Sequence, residues 1–308
     1  MSVPASCKVT RVKVHRTLDL AEAQRYVTGN VTAVDRFAGA GVSDVFDVST
    51  DERRFVVKLF PPDYEWKLAK ELFVYELVGE HLPDVPVPHV ISADREEHVL
   101  VLERIDGLPT SSLSTDDVPN LYREIGRLLA RLHAIELDAF GYLTAEGIFE
   151  PHATNLDYMR SQFAKRLATF GDGGDRGLAN AIAEHVRALE ELLTGRPTAV
   201  LCHNDCHEGN VLVPREATGA LAGVFDFENA LGGDPLLDLA KTVAYSPRDR
   251  GVITDALAEG YGDLPPHWRD AIDLYGRYHV RELWVWVESI GARDDLQALA
   301  DDLAARIS

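Results

Sequence analysis

The chain has 308 residues and a formal net charge of −19, from 31 basic and 50 acidic residues. That balance argues against a nucleic-acid interface, which needs a basic face; it suits a cationic small-molecule partner drawn by the long-range field, although plain solubility accounts for it as readily. Hydrophobic residues make up 46%, which implies a packed globule of one large or two linked domains, while the lack of any apolar run near the roughly 18–20 residues of a membrane span, and of a signal-peptide core in the opening MSVPASCKVTRVKV, points to a cytoplasmic protein with no membrane partner.

In chain order, TLDLAEAQRYV (17–27) predicts a short helix with Thr17 as a possible cap. VTAVDRF (31–37), VFDVST (45–50) and RRFVVKLF (53–60) predict strands separated by turns. YEWKLAKELFVYELVGEHL (64–82) carries Leu68, Leu72, Tyr75 and Leu77 at helical spacing, and the three prolines of PDVPVPHVIS break it. HVLVLERI (98–105) predicts another strand. After DGLPTSS the texture becomes helical, over 118–137, 155–170, 178–193 and from Leu236 onward, interrupted by the short strands TAVLC (198–202) and LAGVFDF (221–227). A strand-rich first third therefore joins a helix-rich remainder near Glu103–Pro109, and a cleft between two such lobes is a natural ligand site.

The densest chemistry is LCHNDCHEGN (201–210). Two cysteines and two histidines within Cys202–His207 suggest zinc, but four neighbours cannot close one tetrahedron without strain, and zinc sites draw their second pair from elsewhere. Cys7 is the only other cysteine, so neither a structural zinc nor a disulfide framework is expected. The oxygens and the amide read better. His203, Asp205 and Asn210 form H-x-D-x-x-x-x-N after a strand; Asp226 follows sixteen residues later at the end of GVFDF, and eight further on is Asp234 of GDPLLDLA, which also carries Asp238. Phosphoryl transfer from a nucleotide needs such a set: Mg²⁺ takes hard oxygen ligands, for which Asn210 and Asp226 are placed, and a further carboxylate, Asp205, must face the attacking hydroxyl. Taken singly, each of these residues is more often a loop residue making a turn; their order and strand context carry the argument.

The run from His203 to Ala240 resembles the aminoglycoside phosphotransferase family, relatives of the protein kinases, whose usual form is H-G-D-x-H-x-x-N, then D-W-E, then G-D-P-x-x-D-L-A. Here the runs are HNDCHEGN, DFE and GDPLLDLA; LPDVPVPHV and GRLLARLHAI (126–135) add to the likeness, which covers about residues 30–245. The resemblance implies an α+β, bilobal protein-kinase-like fold: residues 1–103 an antiparallel-sheet lobe with one main helix that binds nucleotide, 104–110 a hinge, and 111–308 a helical lobe holding the catalytic loop and acceptor site. It implies Asp205 as catalytic base or orienting carboxylate, and Asn210 and Asp226 as Mg²⁺ ligands. Asp238 is then a brace for the catalytic loop, and His203 a bond within it. His207 stands where protein kinases place a lysine, near the γ-phosphate or as scaffold. Glu228 occupies the place of the glycine in D-F-G, so that motif's regulatory flip is not assumed.

At the nucleotide end, Lys58 is a charge inside the apolar strand FVVKLF, as a phosphate-binding kinase lysine must be, and Glu71 is its expected partner from the next helix. FAGAGVSDVF is the candidate phosphate loop, with Gly39, Gly41 and Ser43; Asp44 stands where a third glycine is usual. Adenine, or guanine, is expected to bond backbone around Glu103–Ile105. The acceptor is expected to be a hydroxylated and cationic small molecule, with Glu228, Glu282 and Glu288 as candidate carboxylates and DAFGYLTAEG (138–147) shaping that side. The resulting expectation is an O-phosphotransferase that inactivates an antibiotic of aminoglycoside type, using ATP or GTP with Mg²⁺. A metabolic kinase of the same fold, for choline, homoserine, methylthioribose or fructosamine, is the alternative.

Overall fold

A computed structural model describes residues 15–37, 42–173, 176–216, 219–290 and 296–305. The first helix, α1, is only Leu20–Ala23 rather than 17–27, and Asp19 caps it by accepting the Glu22 N–H at 2.8 Å. The helix stops because the Gln24 amide donates to the Gly29 carbonyl and accepts from Val31 N–H, which commits the intervening chain to a turn.

Strands β1 (Val31–Arg36), β2 (Asp44–Thr50), β3 (Arg54–Leu59), β4 (Val90–Asp94) and β5 (Val99–Glu103) form an antiparallel sheet in the order β1-β2-β3-β5-β4, with helix α2 (Glu65–His81) inserted between β3 and β4. Strand β5 is a continuous apolar run because both its faces are covered. Val99 and Val101 join Phe46, Val48, Phe55 and Val57 on one side, and Leu100 and Leu102 join Leu68, Val74 and Tyr75 of α2 on the other. Lys58 stands opposite Leu100 in the β3–β5 register, so its side chain shares the α2 face. On α2, Leu72 and Leu77 are only half-buried; Val74 and Val78 line the buried face together with Lys67, Lys70 and Glu71.

The segment expected as a hinge contains β6 (Leu108–Pro109), which pairs with a strand well downstream, β11 (Val211–Val213). Helix α3 (Val118–Leu132) buries Leu121, Tyr122, Ile125, Leu128, Leu129 and Leu132 at the spacing of one helical face. Then come β7 (Glu136–Leu137), a hairpin of β8 (Phe140–Thr144) and β9 (Gly147–His152), and helices α4 (Asn155–Gly173) and α5 (Arg176–Ala188). The first strand and the turn of the hairpin lie in the stretch DAFGYLTAEG, which has no strand-length alternation to announce them.

Strand β10 (Ala199–Cys202) pairs with β7 and with β13 (Leu231–Gly233), completing a second sheet in the order β7-β10-β13-β8-β9; β11 pairs with β6 and β12 (Gly223–Val224) in a third. The strand expected over 221–227 is cut to two residues because Asp226 takes a left-handed backbone, φ 71°, which no strand can continue through. Helices α6 (Pro235–Ala244), α7 (Arg250–Tyr261), α8 (Trp268–Ile290) and α9 (Leu296–Ala305) follow. Asp234 caps α6 at the Leu236 N–H with Pro235 in the first turn. Helices α3 and α7 cross so closely that a Cβ on Gly260 would lie 2.0 Å from the Arg123 carbonyl oxygen, and one on Gly126 would lie 2.3 Å from that of Leu257. The larger core runs without a break from Phe60 and Leu68 through α3 and β10 to α8. Among the described residues no helix is long and apolar enough to cross a membrane.

Candidate active site

Three elements bring charge to one point. Lys58 of β3, whose side chain is 6% exposed, donates to Glu71 Oε2 of α2 at 2.6 Å and to Asp226 Oδ1, beyond β12, at 3.0 Å. Tyr75, one helical turn after Glu71, donates its hydroxyl to Glu71 Oε1 and accepts the Asp226 N–H, both at 3.2 Å. Burial weighs most against the Lys58 charge, yet the attraction of Asp226, Glu71 and Glu228 outweighs it and raises the pKa above the ordinary lysine value. Burial pushes the Glu71 carboxyl up to about 7 against the pull of Lys58. At Asp226 burial also opposes ionisation, but Lys58 prevails and lowers the pKa.

The loop 203–210 joins β10 to β11, and its foundation is Asp238 on α6. That fully buried carboxylate accepts His203 N–H at 2.7 Å and Asn204 N–H at 2.9 Å, and His133 Nε2, at the end of α3, lies 3.2 Å away. Burial is again the largest influence on Asp238 and opposes its charge; bonding to His133 wins and lowers the pKa. Asn204 stands where the related motif has glycine, and its φ of 55° gives the reason: asparagine is among the few side chains that tolerate the left-handed region. Its amide donates to the Asn229 carbonyl. His203 donates Nε2–H to the Phe225 carbonyl at 3.2 Å and packs against the Phe227 ring, which ties the loop to the turn after β12. Burial lowers the His203 pKa, so the ring is neutral.

The Asp205 carboxylate is therefore presented on a fixed loop. Its Oδ2 accepts Asn229 Nδ2–H at 3.0 Å; its Oδ1 faces His207 Nε2 at 3.8 Å and Lys241 Nζ at 3.9 Å. His207 accepts the Gly209 N–H on Nδ1, which puts its ring proton on Nε2, toward Asp205. Asn210 donates Nδ2–H to the Asp205 carbonyl at 2.9 Å, an assignment that makes its other amide atom the acceptor oxygen. The Phe225 N–H bonds the Asn210 carbonyl at 3.1 Å, so Asn210 and Asp226 sit on adjacent strand ends. A carboxylate and an amide oxygen so placed suit a hard divalent cation such as Mg²⁺. Among the described residues, the trio of His, Cys, Asp or Glu close enough to share an ion is instead His133, Cys202 and Asp238. There the Asp238 oxygens are already occupied, and burial pushes the Cys202 thiol pKa up, so it stays protonated and a poor ligand. Cys206 is likewise fully buried, with its thiol pKa raised by burial.

The candidate acceptor carboxylates are placed differently from expectation. Glu228 is buried and takes Lys67 Nζ at 2.8 Å. Glu282 faces the site but is held between Lys241 Nζ at 3.1 Å and Arg166 Nη2 at 3.2 Å. Burial disfavours its charge; Lys241, His279 and Arg166 reverse that and hold its pKa well below the carboxylate range. Glu288 is exposed, and Trp286, one turn after Glu282, is 53% exposed. Six residues along a helix place Glu288 on another face than Glu282. The aromatic contacts come instead from Tyr142 of the hairpin, which packs against Trp66 and beneath which Lys70 Nζ lies 3.5 Å from the ring centre.

At the nucleotide end, Gly39 and Gly41 lie outside the described residues, while Ser43 is buried at the entry to β2. Asp44, in place of a third glycine, is a buried anchor that accepts Arg16 N–H at 2.8 Å and pairs with His15 and Arg36. Around the expected adenine contact, Glu103 N–H donates to the His89 carbonyl and the Ile105 carbonyl accepts the Arg104 guanidinium. The Ile105 side chain covers Gly223 of β12 so tightly that a Cβ there would lie 2.5 Å from Ile105 Cδ1.

The sequence reading missed Lys241, Asn229, Tyr75, Lys67 and His133. Two had a signal. Lys241 is three residues after Asp238 on one helix, hence on the face that meets the loop, and Tyr75 is four after Glu71. Asn229 and Lys67 act through chain crossings that no local pattern encodes.

Residues 35–273 match the model of the phosphotransferase enzyme family. Among solved structures, a thermostable mutant of aminoglycoside phosphotransferase APH(4)-Ia, in a ternary complex with ADP and hygromycin B, is similar with a TM-score of 0.69 at 17% identity, covering 90% of this chain and 94% of that one. Macrolide 2'-phosphotransferase MphH from Brachybacterium faecium gives 0.64 at 19% identity, covering 92% and 97%. A candidate fructosamine-3-kinase from Thermobifida fusca gives 0.67 at 22%, covering 93% and 98%.

Proposed function

The chain belongs to the phosphotransferase enzyme family, and on that premise we propose that it moves the γ-phosphoryl group of ATP or GTP to a hydroxyl of a small molecule, with Asp205 as proton acceptor. One observation carries the reading: the Lys58–Glu71–Asp226 cluster and the Asp205–Asn210 loop are joined through Phe225 and Asn210, so nucleotide-binding and proton-accepting groups share one cleft edge. Lys58, fixed by Glu71, binds and orients the phosphates of the donor. Asn210 and Asp226 would hold Mg²⁺, which would neutralise charge on the triphosphate. Asp205, aimed by Asn229 and by its loop, accepts the proton of the attacking hydroxyl at Oδ1. His203 and Asp238 act by keeping the loop in place. Adenine or guanine lies against the 103–105 segment, and Ser43 donates to the phosphates.

For the acceptor, an aminoglycoside-type antibiotic is favoured by the net charge of −19 and by the fold shared with a hygromycin B-bound phosphotransferase; inactivation of that antibiotic is then the role. A metabolic alcohol is favoured by the pairing of Glu228 with Lys67 and of Glu282 with Lys241 and Arg166, because neither carboxylate is then free to receive an ammonium group. The deciding experiment is a screen of ATP and GTP consumption with aminoglycosides, macrolides, other hydroxylated antibiotics, and choline, homoserine, methylthioribose and fructosamines as acceptors. Turnover confined to one class assigns the acceptor; no acceptor-dependent consumption with any of them sinks the proposal.

A further inference from the structure

We propose that Lys241 is a catalytic residue, the fixed cation that faces the attacking oxygen beside Asp205. This rests on the phosphotransfer reading above and adds a group that the catalytic-loop motif does not contain. Oδ2 of Asp205 already accepts Asn229 Nδ2–H, so Oδ1 is the less occupied oxygen and the better placed to take a proton. Oδ1 is flanked by Lys241 Nζ at 3.9 Å and His207 Nε2 at 3.8 Å. A hydroxyl that approaches Oδ1 from the side of these groups comes within reach of Lys241 Nζ.

The reaction is balanced without further reagents. The acceptor oxygen forms its bond to the γ-phosphorus as the bond from phosphorus to the bridging oxygen breaks. The electron pair of that bond leaves with the nucleoside diphosphate, and the hydroxyl proton passes to Asp205 Oδ1. Negative charge gathers on the attacking and phosphoryl oxygens, where a preoriented cation in a water-poor site is most effective. Lys241 is preoriented: its side chain is 6% exposed, Glu282 Oε2 holds Nζ at 3.1 Å, Arg166 backs Glu282 at 3.2 Å, and Nζ lies 5.0 Å from the centre of the Tyr245 ring. Burial opposes its charge, but Glu282, Tyr245 and Asp205 overcome it and raise the pKa. Protein kinases place a lysine two residues after the catalytic aspartate, where this chain has His207. Here the cation comes from α6, three residues beyond the loop's own brace, Asp238.

The test compares Lys241→Met, Lys241→Arg, Lys241→Met with Glu282→Gln, and Asp205→Ala, using radiolabelled ATP with hygromycin B as acceptor and water as the second acceptor. Lys241→Met is expected to lower kcat about 10²–10³-fold while ATP affinity, read by fluorescent-nucleotide displacement, stays within twofold. Lys241→Arg is expected to recover at least a tenth of the wild-type rate. The double variant removes both charges of the Lys241–Glu282 pair, and Arg166, whose side chain is 34% exposed, keeps solvent and the amide oxygen at position 282 as partners; it is expected to melt nearer the wild type than Lys241→Met alone and still be slow. A double variant within tenfold of wild type overturns the proposal, since Lys241 would then merely neutralise Glu282. So does a Lys241→Met effect confined to KM. If Asp205→Ala transfers phosphate at the wild-type rate, or the wild type transfers to none of the acceptors of the screen above, it is the underlying phosphotransfer reading that fails.

Discussion

Replacing Asp238 by alanine tests the foundation of the site. The substitution removes the acceptor of two buried backbone donors, His203 N–H and Asn204 N–H, and frees the His133 ring, which retains Tyr261 as a partner at 3.1 Å. At about 1–3 kcal/mol for each stranded buried donor, the two amides alone put the loss at about 2–6 kcal/mol, a large part of the roughly 5–15 kcal/mol that holds a typical domain together. Asp238→Asn keeps the volume and one acceptor oxygen but turns an NH₂ group toward a donor, so its cost is set by one lost bond, about 1–3 kcal/mol. The assay is urea unfolding followed by tryptophan fluorescence, with the midpoint read at unchanged slope. The sign with pH also follows. Because the folded-state pKa of Asp238 is depressed, its stabilisation is fully present above the ordinary carboxylate value and is lost as pH falls through the folded value. The gap between wild type and Asp238→Asn should therefore be flat from pH 8 to about 5 and close below about pH 4. An Asp238→Ala protein within about 1 kcal/mol of wild type, below the least that even one stranded donor should cost, would refute the bracing argument.

Asp205→Ala should keep nucleotide binding and lower turnover about 10²–10⁴-fold, the scale of a positioned proton acceptor; unchanged turnover counts against its role. Asp226→Ala should weaken Mg²⁺-dependent nucleotide binding in calorimetry, and a normal affinity removes it from the metal site. Asn204→Gly keeps the left-handed backbone and loses the bond to the Asn229 carbonyl, a cost of about 0.5–1.5 kcal/mol, whereas Asn204→Val should cost at least about 1–2 kcal/mol more for the left-handed backbone, measured by thermal melting. Gly260→Ala should destabilise by about 1–3 kcal/mol through overpacking where α7 meets α3; a melting temperature equal to wild type would show that the helices part without cost.

What was legible in the sequence follows the range of the physics involved. Strand β5 and helices α3 and α4 announced themselves because a buried face repeats within a dozen residues. Strands β6, β7 and β12 are two residues long and β13 three, too short to repeat anything; they exist because distant segments pair with them. The order Asp205, Asn210, Asp226 and Asp238 was readable because one cleft edge is built from consecutive loops. Charge partners were not. Glu228 and Glu282 read as free carboxylates, and only the folded chain brings Lys67 and Lys241 against them. Asp44 read as a missing glycine, and the three groups that make it an anchor come from positions 15, 16 and 36.

The pairing of Lys67 with Glu228 has a consequence for how the site is held. Helix α2 carries Glu71, and so the position of Lys58 depends on where that helix sits. Three contacts fasten α2 to the turn that bears Asp226: Tyr75 bonds its N–H, Tyr75 packs edge-on against Phe227, and Lys67 pairs with Glu228. Swinging α2 outward, or turning the 226–228 segment over, would separate two charges that are each about a tenth exposed, Lys67 at 11% and Glu228 at 10%. Removing either partner of such a pair costs about 3–5 kcal/mol, because the other charge is then left buried and uncompensated. A glycine at position 228 would carry no such charge. The glutamate thus ties the 226–228 turn to α2, the helix whose Glu71 holds Lys58.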